Sequence, residues 1–224
     1  SLGAVLPKSV FRKEIQIFHE GAYKAWNTGS ITNRSRGFFP TEMAFSRHMI
    51  DVLVDEGYEW AIVASHHLSR TSPSYNDKAN PQGSYNIFSS PPNKADQIGP
   101  TSSTGWWFGT GNVGETAWNL APFAYQLHKA KYVNPETGAE KTIIMVPSDD
   151  IQSYKAGYSG WQKGLIDANI SPFATDPNRP CIVMPSTDGD NAWGGGSSSW
   201  DGDAPGLMNN GTYPGVTPQG FVNN

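Results

Sequence analysis

Apolar residues recur along this chain in two rhythms. Residues 37–40, Gly-Phe-Phe-Pro, make a short unbroken apolar run of strand character. Ser46 is placed to cap a helix over residues 47–56, in which Met49, Val52, Leu53 and Glu56 follow a helical period and Gly57 supplies the stop. Residues 59–65, Glu-Trp-Ala-Ile-Val-Ala-Ser, are apolar, β-branched and too short for a helix, so a strand is expected. Residues 141–148 and 181–187 read as two further buried strands, with a helical stretch over 160–168 between them. Unbroken apolar strands separated by helical segments predict an α/β fold: a parallel sheet covered on both faces, open or closed into a barrel.

Two stretches break the rhythm. Residues 66–117 are rich in Pro, Ser, Asn and Gly, carry Trp106, Trp107 and Phe108, and show little periodicity. An insertion of that length in a compact domain reads as a binding loop or a surface excursion. From Gly194 to Asn224 the chain is Gly-, Asn- and Pro-rich and reads as loop throughout. No second domain is evident, and residues 1–224 are expected to form one segment.

The residues that follow each predicted strand carry the chemistry. Thr41 and Glu42 follow the first, His66 and His67 the second, Asp149 and Asp150 the third, and Asp188, Gly189 and Asp190 the fourth. In parallel α/β folds the loops at the carboxyl ends of strands build the active site, so this pattern gathers titratable groups on one face. Each aspartate taken alone is equally well a helix cap or a turn former. Glu42 resists that reading, because Glu is a poor cap and the better cap, Ser46, comes after it. Glu42 and Asp188, on two of these strand ends, form a candidate pair. Two carboxyl groups flanking a glycosidic bond can act as nucleophile and general acid, about 5–5.5 Å apart for retention and about 6.5–9.5 Å for inversion.

Composition narrows the partners. The net charge is −4 with 16 Lys and Arg dispersed along the chain, so no basic cluster points to nucleic acid or an anionic membrane. No apolar run approaches the ~20 residues of a membrane span. Only 16% of residues are charged, against 24 Gly, 17 Pro, 8 Trp, 9 Tyr and 10 Phe. Plentiful aromatic rings and small polar loops suit a carbohydrate-handling protein outside the cytoplasm, the rings stacking on sugar faces, though they suit ordinary cores as well. Asn-x-Ser/Thr triplets at Asn33, Asn169 and Asn210 are weak signals of the same kind. The single cysteine, Cys181, excludes an internal disulfide and reads as a small buried strand residue. Without a basic start and apolar centre, the first residues do not read as a signal peptide, and without Met at position 1 a processed or partial chain is expected.

Three segments together resemble a known family. Residues 37–46, GFFPTEMAFS, followed by a helix and then GYEWAIVASHHL at 57–68, are similar to the Pro-x-Glu segment and the following Gly-x-x-Trp of glycoside hydrolase family 57. TIIMVPSDDIQSYKAGYSGW at 142–161 and STDGDNAWGGG at 186–196 are similar to two later segments of that family, in the family's order. The resemblance implies part of an incomplete (β/α)7 barrel that acts on α-glucans with retention of configuration, with no cofactor and no metal. It implies Glu42 as nucleophile, Asp188 as general acid/base, and Trp193 lining the site. His66 and His67 stand where the family often has Asp, and Asp149 replaces the Arg of its Arg-Asp pair or else Asp150 matches its Asp; these, with Trp106 and Trp107 from the aromatic insertion, are the expected substrate contacts.

Two other readings stay open. A non-catalytic carbohydrate-binding or structural relative would keep the pattern without turnover, and the Gly-rich 194–199 favours it. A metal-dependent polysaccharide deacetylase would use His66, His67 and Asp149 or Asp188 as ligands, although adjacent histidines tend to point apart. Asp188, Asp190, Asp201 and Asp203 read as turn acids or as oxygen ligands for calcium, with spacing unlike an EF-hand. Oligomeric state, linkage preference and chain-length specificity are not encoded in any of these patterns.

Overall fold

The structure is a computed structural model that describes residues 2–26, 34–64, 125–149, 167, 171, 174–186 and 215–224. By contacts the chain resolves into two compact units. The first comprises Ser1–Val63, Leu127–Val146 and Val216–Asn224; the second comprises Ala64–Gln126 and Pro147–Gly215.

A mostly parallel, open four-stranded sheet organises the described chain, in the order β1-β2-β4-β3. β1 is Gly37–Phe38, β2 Trp60–Ala64, β3 His128–Val133 and β4 Glu140–Ser148. β1 pairs with β2 in parallel, Gly37 opposite Trp60, while β3 is the antiparallel member, His128 opposite Met145. The backbone N–H of Ile144 donates to the Glu59 carbonyl at 3.0 Å at the β2–β4 seam. The expected α/β class holds, and the described strands form an open sheet rather than a closed ring. β2 and the second half of β4 are buried almost without interruption, which is why they read as continuous apolar runs. The first strand is shorter than the sequence indicates, ending at Phe38.

Helix α2, Met49–Asp55, packs against β3 and against α1, the helix Lys8–Trp26. Its Met49, Ile50, Val52 and Leu53 are fully buried. The expected cap at Ser46 is displaced: His48 holds the cap position, and its side chain makes no capping bond to the helix. The Ser46 hydroxyl is instead engaged with His48 Nδ1 at 2.8 Å, and the Ser46 carbonyl accepts from Met49 N at 3.0 Å. The expected stop is Gly57, at φ +79. Tyr58 N donates to the Leu53 carbonyl and Gly57 N to that of Val54, a Schellman closure sealed by buried Leu53 and Tyr58. Arg34 adds a cation at this carboxyl end, donating to the Glu56 carbonyl and lying 4.5 Å from the Tyr58 ring centre.

α1, β3 and the last helix are additions to what the sequence pattern predicts. α1 buries Phe11, Ile15 and His19 at four-residue spacing, and Phe11 meets Phe38 edge-on at 5.9 Å. Alternating charges lace it to its neighbours. Lys8 donates to Asp51 at 2.6 Å and to the Tyr132 hydroxyl at 2.7 Å, and Arg12 reaches Asp55 and Glu56 at 2.8 and 2.9 Å. From β4, Lys141 reaches Asp51 and Asp55, each at 2.6 Å. β3 turns into β4 through Asn134, whose side-chain oxygen accepts from Glu136 N and Thr137 N, with Gly138 at φ +73.

The expectation of loop throughout 194–224 is corrected at Pro218–Val222, which forms helix α3. Thr217 caps it by accepting from Gly220 N at 3.0 Å, and Pro218 occupies the first turn, where its missing N–H costs nothing. Gln219 on α3 accepts a hydrogen bond from Trp60 Nε1 at 2.7 Å. The expected strand at 181–187 is also corrected: its described part, 181–186, runs outside any strand. Pro180 and Pro185 remove two of the donors a ladder would need.

Candidate active-site turns

Glu42 lies four residues past the end of β1, on a single 3-10 turn, Thr41–Met43. Pro40 starts this turn from extended backbone at φ −66, ψ 133, and is itself fully buried. Met43 N donates to the Pro40 carbonyl at 2.8 Å and Ala44 N to that of Thr41 at 3.2 Å. Met43 has φ 53, the one positive φ at a non-glycine among the described residues. A left-handed residue with a Cβ is sterically costly, and such positions concentrate where a side chain must be aimed. Because β1 and β2 run parallel, Glu42 emerges at the carboxyl end of a parallel strand pair, where ligands bind in open α/β sheets.

On either side of this turn, Gly37, Pro40, Gly57 and Trp60 of the Gly-Phe-Phe-Pro and Gly-x-x-Trp pattern have packing roles, while Phe39 is 53% exposed. Trp60 covers Gly37, and Gly57 closes α2. They fix the strand that delivers Glu42 rather than supplying chemistry.

A second turn begins where β4 ends, in the second unit. Ser148 is wholly buried and Asp149 is 2% exposed. Asp149 N donates to the Met184 carbonyl at 2.8 Å, and Ser148 Oγ donates to Ser186 Oγ at 3.0 Å. Ile182 N donates to the Tyr125 carbonyl at 2.7 Å. Thus the segment 182–186, although not a strand, is held at both ends. Cys181, half-buried beside it, has its thiol pushed up by burial, opposed by a bond from Gln126 and by the Arg179 charge. Such a thiol stays protonated and is a poor nucleophile.

Glu42 belongs to the first unit and Asp149 to the second. His66, His67, Trp106, Trp107, Asp150, Asp188 and Trp193 lie outside the described residues, as do Asp190, Asp201, Asp203 and the triplet asparagines Asn33, Asn169 and Asn210. Among the described residues no group of three or more His, Cys, Asp or Glu could hold a metal ion. None of the described helices is long and apolar enough to cross a membrane. The pattern of residues gave no signal for Met43 or for the Ser148–Ser186 pair. Only a left-handed turn marked by Gly or Asn would have been visible, and a lone Ser after a strand is too common to single out.

No protein-family profile matches this chain, and no solved structure matches it. The chain is similar to an α-amylase from Niallia circulans, with 34% identity over 206 residues. That alignment covers 89% of this chain and 15% of the relative, so the chain spans under a sixth of the relative's length. The chain is a distant homologue of an α-amylase.

Proposed function

We propose that this chain carries catalytic residues of a glycoside hydrolase or transglycosylase acting on α-glucans with retention of configuration. The observation that carries the reading is the similarity to an α-amylase along 206 residues, a length that takes in both proposed carboxylates whatever its ends. The strained turn that bears Glu42 supports it independently.

On this reading Glu42 attacks the anomeric carbon while Asp188, protonated, gives its proton to the departing glycosidic oxygen. A covalent β-linked glycosyl ester on Glu42 results. Asp188, now a carboxylate, takes a proton from water or from an acceptor sugar hydroxyl, whose oxygen displaces Glu42 and restores the α configuration. The two carboxyl groups would then stand about 5–5.5 Å apart. Trp106, Trp107 and Trp193 provide stacking faces for glucose rings, and His66, His67, Asp149 and Asp150 provide polar contacts. The sheet is a sector of the incomplete (β/α)7 barrel of family 57, and the substrate is an α-glucan oligo- or polysaccharide.

The test is hydrolysis of soluble starch and of maltooligosaccharides by Glu42→Gln and Asp188→Asn. Each is expected to lose at least about 10²-fold in kcat, the scale on which a positioned acid or base acts. Unchanged turnover in either variant would overturn the assignment.

A further inference from the structure

His19 is the last inward-facing anchor of α1. Phe11, Ile15 and His19 are each 5% exposed or less, whereas none of residues 20–25 is fully buried. His19 Nε2 lies 2.9 Å from the Tyr58 hydroxyl, and the two rings stand 5.6 Å apart, centre to centre. Tyr58 is enclosed in turn. Phe38 of β1 meets it edge-on at 5.3 Å, Arg34 lies 4.5 Å from its ring centre, and its own N–H closes α2 on the Leu53 carbonyl. Two charges act on the imidazole: Arg34, from the segment before β1, repels a protonated ring, and Glu56, at the end of α2, attracts one. Glu56 is already engaged by α1, accepting from Arg12 at 2.9 Å and from Gln16 at 3.2 Å. β1 faces this cluster with the apolar Phe38.

The buried pair is complete only while His19 is neutral. A neutral imidazole has one N–H and one acceptor nitrogen, so in either tautomer it can share one hydrogen bond with the Tyr58 hydroxyl. Once protonated, the pair holds three donors, Nδ1–H, Nε2–H and the Tyr58 O–H. Among the described residues the Tyr58 oxygen is the one acceptor in reach of the ring. Burial, and then the Arg34 charge, hold the imidazole below its ordinary 6.5 against the opposing Glu56 charge. The surplus donors and the buried charge are relieved together when the ring turns to water, and no fully buried residue between 20 and 25 holds the helix against that movement.

We propose that His19 is an acid-released latch: its protonation frees the last turns of α1, residues 19–25, from Tyr58 while the first turns stay docked. The first turns keep Phe11 and Ile15 in the core. They also keep Lys8 paired with Asp51 and Arg12 with Asp55, carboxyls held ionised below 3.8. The latch is independent of the chemistry assigned to Glu42. A released ring takes up its proton at the ordinary value and a docked ring at a lower one, so release is favoured as pH falls below 6.5. For one proton the opening equilibrium rises by at most about tenfold per pH unit, and it levels off below the lowered value.

The test is amide hydrogen exchange of the full chain, resolved by residue, at about pH 7.5, 6.5 and 5.5. Rates are expressed as protection factors, so that the intrinsic pH dependence of exchange cancels. Protection over residues 20–25 is expected to fall by several-fold, and by no more than about tenfold per pH unit, below pH 6.5. Protection over residues 12–15 and in α2 should hold across the same range. His19→Gln, which does not titrate and still offers Tyr58 a polar partner, should show no pH-dependent loss over 20–25. His19→Phe serves the same purpose if the Gln variant fails to fold, since it fills the aromatic site without a titratable group. Protection over 20–25 that stays constant with pH in the parent would overturn the latch. So would an equal fall in the His19 variants, which would assign the release to another group. A fall spread evenly over α1, α2 and the sheet would also overturn it, since that is unfolding of the whole unit and not release of a helix end.

Discussion

Trp60 fills the space that a side chain on Gly37 would need: the two are register partners, and a Cβ on Gly37 would stand 2.1 Å from the indole Cζ2. Gly37→Ala therefore forces the indole or the short strand β1 to move, at an expected cost of about 1–3 kcal/mol, the range for overpacking. Denaturant unfolding would measure it. Trp60→Leu in the Gly37→Ala background should recover part of the loss, since the clash is removed along with the ring. A Gly37→Ala variant as stable as the parent would contradict this packing.

Met43 offers the opposite experiment. Its left-handed backbone carries a steric cost of about 1–2 kcal/mol that glycine would relieve, against about 0.5–1 kcal/mol of added chain entropy. Met43→Gly is thus expected to match or slightly exceed the parent in Tm. On the reading of Glu42 as nucleophile it should nonetheless lower kcat, because the freed turn no longer holds residue 42 in one orientation. Met43→Val, β-branched, should be clearly destabilised.

The alternating charges between α1, α2 and β4 predict a pH profile. Burial alone would raise Asp51, but its bonds from Lys141 and Lys8 outweigh that and hold it below 3.8; the Lys141 bond, then that from Arg12, does the same for Asp55 against a smaller burial effect. The unfolded chain therefore binds these protons more readily, so this stabilisation is complete above the ordinary value and is lost as pH falls through the depressed one. Lys8, held up chiefly by Asp51, behaves in reverse, losing its contribution only as pH rises above 10.5. Asp51→Asn should cost about 1–3 kcal/mol at neutral pH, as expected for a charge-assisted bond lost, and should flatten the acid limb of a plot of stability against pH.

His19 sets a second limb at milder acidity. Burial lowers its pKa from 6.5, the Arg34 charge adds to this, and the Glu56 charge opposes it. Its ring lies 2.9 Å from the Tyr58 hydroxyl through Nε2. The folded protein resists protonating it, so stability is fully present above 6.5 and declines as pH falls toward the lowered value. His19→Gln should remove the slope in urea midpoint that sets in below pH 6.5 while retaining a polar partner for Tyr58. An unchanged slope would assign that limb to another group.

Legibility in the sequence followed burial. α2, β2 and β4 announced themselves because their apolar residues are buried together, Met49 to Leu53 on one helix and Ile143 to Val146 on one strand. α1 did not, because Phe11 and Ile15 face inward while Val10, Ile17 and Phe18 remain exposed, which blurs any single period. β3 was hidden by Lys129 and Lys131, exposed on alternate positions of a strand with one buried residue, Tyr132. The apolar run at 181–187 misled, since over its described part, 181–186, Pro185 and the preceding Pro180 remove ladder donors even though its backbone is partly bonded. At the site, Glu42 was visible as a charge with no local job. The left-handed Met43 was not, because the fold imposes that conformation and the residue type does not favour it.

The first unit is assembled from three stretches separated by two long excursions, 64–126 and 147–215. A ribosome would deliver α1, β1, α2 and β2 well before the hairpin of β3 and β4 that completes the sheet. Until then one flank of β2 stays open, and Trp60 Nε1 waits for an acceptor 159 positions later. Such high contact order makes folding slow and leaves an unpaired apolar edge exposed to other nascent chains. The long excursions that leave β2 and β4 thus carry a cost in biogenesis, and recombinant yield should depend on slow synthesis or chaperone supply more than on the stability of the finished fold.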